Sequence, residues 1–201
     1  MMTKPIFMVF LVLWSLLLCK PTHIQGQESQ DHSFVYESLE EAMKDPMAVY
    51  RLKLRRKKLD LFPFEICRFT NLKELDLSKN KLTAIPKEIY QLKELHTLDL
   101  SNNNLEYLPP EIGQLKKLDT LIVFKNDLAA LPDEMESLES LIYLDMWGNE
   151  VIEIPEGMSK LKKLKTLDMR VIEISDIRQK RIMEILPNTK IFFSNSCNCG
   201  D

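Results

Sequence analysis

The side chains that could do chemistry are few and lie in the middle of the chain. Asp76 and Asp99 recur 23 residues apart, and His96 precedes the second of them. Two such carboxylates on neighbouring strands repel one another, which raises a pKa and is one route to a general acid. Solvent would screen these charges, and no glycine-rich phosphate loop, H-E-x-x-H or serine-elbow motif accompanies them. We therefore predict that the protein is not an enzyme.

Metal-ligating residues are equally sparse. His96 has no second histidine and no cysteine clustered with it in sequence, so we predict neither a metal nor another cofactor. Cys197 and Cys199 form a C-x-C pair in a polar stretch, for which an inert tail, a local disulfide and a soft-metal site remain alternatives. If Cys19 is removed with the N-terminus, three cysteines including Cys67 remain, so they cannot all pair within the chain.

Composition indicates one soluble globular domain. The chain has 201 residues, of which 45% are hydrophobic and 28% charged, and this balance argues against disorder. The formal net charge is −3, which gives no electrostatic reason to expect nucleic acid or an anionic membrane as a partner. We predict no nucleic-acid partner.

The N-terminus has the pattern of a secretory signal peptide. Lys4 precedes an apolar stretch, Ile6 to Cys19, that is shorter than the roughly 18 residues of a membrane span. Small and polar residues follow, which predicts a signal peptide over residues 1–26 and a mature chain that begins within a few residues of Gln27. We therefore predict a secreted, periplasmic or cell-envelope protein with no integral span after signal removal.

Two other interpretations of the N-terminus stay open. Cys19 follows three leucines, as in a bacterial lipobox, but that motif requires a small residue in the position of Leu18. Lipid anchoring at Cys19 is thus a weaker alternative. An uncleaved hydrophobic anchor is the other.

A pattern of leucines and an asparagine repeats every 23 residues and predicts the secondary-structure elements that would position any site. One unit reads Leu72, Leu75, Leu77, Asn80 and Leu82. The next three units read Leu95, Leu98, Leu100, Asn103, Leu105; Leu118, Leu121, Val123, Asn126, Leu128; and Leu141, Leu144, Met146, Asn149, Val151. Degenerate copies flank these four, so the pattern predicts about six units over residues 49–186.

The spacing has a direct physical meaning. Leucines three and then two residues apart fit a short strand whose alternate side chains are buried. The asparagine amide both donates and accepts, so we predict a structural ladder of Asn80, Asn103, Asn126 and Asn149 where the chain leaves each strand. An apolar-Pro step follows in each unit and predicts an irregular helical turn on the outer side. No single unit buries its apolar side alone, so neighbouring units must stack.

The form L-P-x-x-I-x-x-L-x-x-L-x-x-L-x-L-x-x-N-x-L resembles the 23-residue class of leucine-rich repeats. Similar repeats occur in plant intracellular Ras-group-related and disease-resistance-type proteins, in Ras-pathway scaffolds and in bacterial surface proteins. The resemblance implies an α/β leucine-rich repeat solenoid, with short parallel strands on the concave side and irregular helical turns on the convex side. It also implies a binding or scaffolding role.

Both ends of an open solenoid need covers, and the sequence predicts them. In the N-terminal flank, residues 27–48, Ser38 and Glu41 fit a capping box for a short helix over residues 38–44. Before the C-terminal segment, residues 187–201, Ser175 fits the cap of a helix over residues 176–186. The predicted apolar side of that helix comprises Ile177, Ile182, Ile185 and Leu186. We expect a closing strand over Thr189 to Phe193 and a loose tail after it.

One part of the predicted concave surface is aromatic. Strand residues between the core leucines face this surface, where Ile122, Phe124, Tyr143 and Trp147 come from two adjacent units. Clustered exposed aromatics are typical of partner sites, so we predict a partner-binding patch there. Its predicted polar rim is Lys125, Asp145 and Arg170. The alternatives are aromatic packing that only stabilises the sheet, an anion site at the basic corner of Arg51, Lys53, Arg55 and Arg56, and a site on the convex side.

These observations favour a monomeric, non-catalytic protein-binding module in the secreted or envelope compartment. Its partner is a protein of unknown identity, with a peptide or a glycan as the other ligand classes. An intracellular-type signalling scaffold with an uncleaved hydrophobic N-terminus is one alternative function. A structural or adhesive surface protein is another.

Overall fold

The computed structural model describes residues 33–194. Residues 1–32, with the predicted signal peptide and Cys19, lie outside that range. The predicted C-terminal tail beyond residue 194, with Cys197 and Cys199, also lies outside it. Within the described range, no helix is long and apolar enough to cross a membrane.

Seven short parallel strands form one sheet in chain order, as the repeat spacing predicts. They are β1 (Arg51–Lys53), β2 (Glu74–Asp76), β3 (Thr97–Asp99), β4 (Thr120–Ile122), β5 (Tyr143–Asp145), β6 (Thr166–Met169) and β7 (Lys190–Phe193). The strand leucines pair in register, so that Leu75, Leu98 and Leu121 follow one another across the sheet and are all buried. The predicted α/β repeat solenoid is confirmed.

Short 3-10 turns pack behind the strands. They span Pro46–Ala48, Phe64–Arg68, Lys87–Gln91, Pro110–Gln114, Asp133–Ser137 and Glu156–Lys160. From the second turn onward, the residue before each turn is the repeat proline, which has φ between −72° and −56° and supplies no backbone N–H. Each of these turns buries an apolar side chain, such as Ile89 or Ile112, against the strand leucines. The core therefore runs continuously between the sheet and the turns.

The four ladder asparagines are buried and hydrogen-bonded to the backbone. Asn126 is representative: its Nδ2 donates to the carbonyls of Leu100 and Val123 at 3.1 and 2.8 Å, and its Oδ1 accepts from the N–H of Leu105 at 3.0 Å. One side chain thus satisfies three backbone groups at the point where the chain turns off the strand.

At the N-terminal end, helix α1 (Leu39–Ala42) lies against the first repeat. Ser38 Oγ accepts from the N–H of Glu41 at 3.4 Å, and the methyl of Ala42 is fully buried. Tyr36 adds a feature that the repeat pattern does not predict. It bridges to Leu52 in parallel fashion, and its backbone bonds to Arg51 and Lys53, which covers the free edge of β1.

At the C-terminal end, helix α2 (Asp176–Ile185) precedes β7. Ile182, Ile185 and Leu186 are buried, but the expectation that Ile177 lies on the same side is wrong, since this residue is 65% exposed. Ser175 occupies the N-cap position, yet its side chain makes no capping hydrogen bond.

Candidate partner-binding site

The predicted patch is positioned by the ends of β4 and β5. Phe124 and Trp147 each follow their strand by two residues, at the same position of consecutive repeats. Because strand side chains alternate between the two faces, these rings lie on the face of the sheet opposite the 3-10 turns, while Val123 and Met146 are buried on the other face. The rings stack with their centroids 5.1 Å apart and their planes 7° from parallel. Both remain partly exposed.

Lys125 adds a charge to this stack. Its Nζ lies 4.8 Å from the centroid of the Trp147 ring, which is a cation–π geometry. The backbone N–H of Lys125 also donates to the carbonyl of Trp147 at 2.9 Å. Its side chain is exposed, so the ammonium group is available to a ligand that contacts the tryptophan.

Asp145 differs from the expectation that it lies on an open polar rim. It is only 8% exposed, and its carboxylate accepts from the Tyr143 hydroxyl at 3.3 Å and from the Trp147 N–H at 3.4 Å. Burial is the main cause that raises the pKa of Asp145, and the nearby Asp168 charge adds to it. The pKa of Tyr143 is raised as well, chiefly by burial and then by the Asp145 charge. Asp145 therefore orients Tyr143 and the Trp147 backbone from below the surface.

Arg170 is exposed but already paired. Its Nη2 lies 2.6 Å from Oδ2 of Asp168, and its Nε donates to both carboxylate oxygens at 3.0 and 3.1 Å. Hydrogen bonding to Asp168 raises the pKa of Arg170, while Asp168 itself is almost fully buried. The positive charge of Arg170 is thus largely balanced before any partner arrives.

Two residues that the sequence reasoning missed extend the surface onto β7. Phe192 pairs with Asp168 in the sheet register, and its ring lies 5.7 Å from Cζ of Arg170 and 4.7 Å from Nζ of Lys190. The signal was present, because alternation along the predicted closing strand puts Lys190 and Phe192 on one face. Ile191 and Phe193, on the other face, pack against the core.

We call this surface the aromatic patch. Its members are Ile122, Phe124, Tyr143, Trp147 and Phe192. Ile122 and Tyr143 are half-buried beside the stacked pair. Within residues 33–194, the patch brings together aromatic rings from three of the seven strands or their ends, and Lys125, Arg170 and Lys190 are the cations around it.

The other chemically interesting residues are accounted for by local contacts. Oδ1 of Asp99 accepts from the N–H and hydroxyl of Ser101 at 2.9 and 2.6 Å, although burial raises the pKa of this carboxyl. His96 Nδ1 lies 3.2 Å from a carboxylate oxygen of Asp119. Among the described residues, no group of three or more His, Cys, Asp or Glu side chains could hold a metal ion.

The predicted basic corner is partly neutralised. Nε of Arg51 donates to Glu74 on the next strand at 2.8 Å. Lys53, Arg55 and Arg56 are exposed, and none of them takes part in an ion pair within the part of the chain that the structure describes. An anion bound at this corner would therefore contact Lys53, Arg55 and Arg56.

Comparison with models of protein families gives a match over most of the chain. A family model described as a leucine-rich repeat region matches residues 51–191. No curated protein sequence gives a significant match.

Three solved structures illustrate the structural likeness. The plant peptide hormone receptor RGFR1, in complex with RGF2, is 34% identical with a TM-score of 0.60, over 71% of this chain and 24% of the receptor. The ectodomain of GASSHO1/SCHENGEN3 from Arabidopsis thaliana, in complex with Casparian strip integrity factor 2, is 26% identical with a TM-score of 0.57, over 70% and 17%. An internalin, InlF, from Listeria monocytogenes is 16% identical with a TM-score of 0.61, over 80% and 52%, and shows the fold alone. This chain spans about half or less of the length of each.

Proposed function

Because this chain belongs to the leucine-rich repeat family, we propose that it is a non-catalytic module that binds a peptide or protein partner on its sheet face. Leucine-rich repeat proteins are generally non-catalytic binding scaffolds. The observation that carries the proposal is the partly exposed stack of Phe124 on Trp147. Partly exposed aromatic rings that cluster on an otherwise polar sheet face favour contact with another molecule.

The chemistry of the aromatic patch supports this assignment. Burying the remaining exposed area of the two rings would contribute a few kcal/mol at ~25 cal/mol per Å². The rings are held in place by the sheet and by each other, so the entropic cost of ordering them when a partner binds is small. Tyr143 and the paired Arg170 offer polar groups beside the rings for hydrogen bonds that fix orientation.

The structural neighbours support a peptide or protein as the partner rather than a small molecule. RGFR1 and GASSHO1/SCHENGEN3 are both in complex with a named partner in their structures. The matches span only 24% and 17% of the two receptors, so they support the class of partner and not its identity.

A binding experiment tests the role of the patch. A displayed library of random 12-residue peptides is selected on the wild-type protein, and the selected peptides are measured against Phe124→Ala/Trp147→Ala. We expect the double variant to weaken binding by about 2 kcal/mol or more, which is about 30-fold, because truncation of central aromatic anchors has that cost. Phe64→Ala/Tyr107→Ala is the matched control, since these two rings are 62% and 55% exposed away from the patch.

The outcomes separate the alternatives. A folded Phe124→Ala/Trp147→Ala variant, shown by an unchanged circular dichroism spectrum and a cooperative melt, must lose affinity while the control keeps it. Equal affinity in all three proteins, or the failure to select any peptide that needs the two rings, would remove the patch from consideration and leave it a device that stabilises the sheet.

We further propose that the mature protein is a monomer, secreted or retained in the cell envelope. The support for secretion is the N-terminal pattern of Lys4, an apolar stretch and a polar region that ends at Gly26. Mass spectrometry of native material tests it, and we expect a chain that begins near Gln27. An intact Met1 would instead favour the intracellular-type scaffold, and a lipid on Cys19 would favour the anchored form. Light scattering after size exclusion measures the oligomeric state.

A further inference from the structure

A line of basic residues runs along the edge where the chain leaves the strands. Arg56, Lys79 and Lys125 occupy the same position in repeats one, two and four of the sheet, and Asn102 occupies it in the third. All four have a left-handed backbone, with φ between 52° and 58°. Each backbone N–H donates to a carbonyl of the following repeat, as Arg56 does to Ser78 at 3.1 Å and Lys79 to Ser101 at 2.9 Å.

These backbone hydrogen bonds place the side chains of consecutive repeats in one row, with the spacing of the strands. Neighbouring strands are about 4.8 Å apart, so the first two cations are one such step apart and Lys125 is two steps further along. Arg55, which precedes Arg56, joins them at the first repeat. We call these four residues, Arg55, Arg56, Lys79 and Lys125, the cationic edge. The edge ends on the aromatic patch, because Nζ of Lys125 lies 4.8 Å from the Trp147 ring.

The cations of the cationic edge form no ion pairs within the described residues. None of the four side chains takes part in an ion pair there. The pKa of Lys79 is lowered, first because the Arg56 and Arg55 charges repel it. Asp76 and Asp99 lie on the strands next to the edge, and each carboxylate accepts from the serine two residues after it: Asp76 from the N–H of Ser78, and Asp99 from the N–H and hydroxyl of Ser101. The Arg55 charge opposes the rise in the pKa of the Asp99 carboxyl, but the two side chains form no ion pair.

We propose that the partner is an acidic peptide segment, which lies along the cationic edge with its carboxylates and places an adjacent apolar side chain on the Phe124–Trp147 stack. This inference rests on the proposed function and names the chemical class of its partner. The two surfaces are continuous. A peptide that contacts Trp147 lies next to Lys125, and further along the edge it reaches Lys79 and Arg56, which form no ion pairs within the described residues. Such charges favour an acidic partner and speed its association at low salt.

Defined probes test the proposal. A fluorescein-labelled 12-residue peptide carries four glutamates at one end and two leucines at the other, and is made in both sequence orders. Matched peptides carry glutamine or lysine instead of the glutamates. We expect the acidic peptide, in its better order, to bind at least about tenfold more tightly than the glutamine peptide at 50 mM salt, and this preference to shrink as salt increases.

Protein variants locate the effect. Arg56→Gln/Lys79→Gln is expected to weaken the acidic peptide about tenfold and to leave the glutamine peptide unchanged. Lys163→Gln/Lys180→Gln removes the same charge from two exposed lysines outside the edge and is expected to change neither. Phe124→Ala/Trp147→Ala is expected to weaken both peptides alike, which keeps the two proposals distinguishable.

Other results would overturn the inference. Equal binding of the acidic and glutamine peptides, or no binding of either, contradicts it. If peptide binding depends on Phe124 and Trp147 but not on Arg56 and Lys79, the proposed function stands and the acidic partner is wrong. A polygalacturonate probe that binds more tightly than the acidic peptide, and loses this binding in Arg56→Gln/Lys79→Gln, would assign the edge to an acidic polysaccharide.

Discussion

Asn103 ties its own repeat to the preceding one, because its Nδ2 donates to the carbonyl oxygen of Leu77 at 3.1 Å. The same Nδ2 donates to Leu100 at 2.9 Å, and Oδ1 accepts from the N–H of Leu82 at 3.0 Å. Asn103 is 7% exposed and Leu77 is fully buried, so water has little access to these bonds. The asparagine thus fixes the distance between two strands as well as the turn that follows its own.

Loss of this side chain should be costly. Asn103→Ala leaves two buried carbonyls and one buried N–H without their partner, and each such group costs about 1–3 kcal/mol. We expect a loss of about 3 kcal/mol or more in the free energy of unfolding, measured by urea denaturation. Asn104→Ala is the control, because Asn104 is exposed and bonds through its backbone only. Similar losses in the two variants would contradict the role assigned to the ladder.

Gly113 marks a close approach between two 3-10 turns. A Cβ built on Gly113 would lie 2.3 Å from the backbone oxygen of Glu134 in the next turn. The backbone of Glu134 cannot move away from an added methyl group as easily as a flexible side chain could. We therefore expect Gly113→Ala to destabilise the protein by about 1–3 kcal/mol. The measurement is again urea denaturation. Gln114→Ala, at the exposed neighbouring position, should stay within about 0.5 kcal/mol of the wild type.

The architecture follows from the sequence because its spacing repeats without a break. Leu75, Leu98 and Leu121 share one phase of the 23-residue period, and only stacked, registered strands bury all of them. The same period makes Phe124 and Trp147 neighbours. Their nearly parallel stacking, by contrast, depends on side-chain rotamers, which a repeat pattern does not specify.

The departures have local causes. Ile177 and Ile182 are five residues apart in a helix, which places them about 140° apart around its axis, so one of them must leave the core side. Asp145 is buried because large neighbours, Tyr143 and Trp147, lie over it and bond to it. Tyr36 pairs with β1 from outside the repeat period, where no leucine pattern could predict its register.

Cys67 should be unreactive in the folded protein. It is 5% exposed, and burial is the main cause that raises the pKa of its thiol to about 11. Only about one thousandth of such a group is thiolate at pH 8, and the thiolate is the reactive form. In a mature chain with Cys197→Ser and Cys199→Ser, we expect no labelling of Cys67 by Ellman's reagent on the timescale of minutes.

Unfolding provides the control for this experiment. In 6 M guanidinium chloride the Cys67 thiol should react completely and quickly, since burial no longer affects it. Rapid labelling under native conditions would show that the 3-10 turn Phe64–Arg68 opens readily, contrary to its packed position.

Asp145 should make the stability of the protein depend on pH. Burial, and then the Asp168 charge, raise its folded pKa, while the hydrogen bonds from the Trp147 N–H and the Tyr143 hydroxyl and the Arg170 charge oppose this rise. The folded state then holds the proton to higher pH than the unfolded state, so stability falls as the pH rises from the ordinary carboxyl pKa through the raised value. Asp145→Asn removes this titration, and we expect its melting temperature to gain on the wild type between pH 4 and pH 7. The Asp133→Asn variant, at an exposed turn position, measures the effect of charge removal alone. A constant difference between Asp145→Asn and the wild type over this range would contradict the raised pKa of Asp145. A variant that instead loses stability relative to the wild type as the pH rises would show that the hydrogen bonds from Trp147 and Tyr143 outweigh burial.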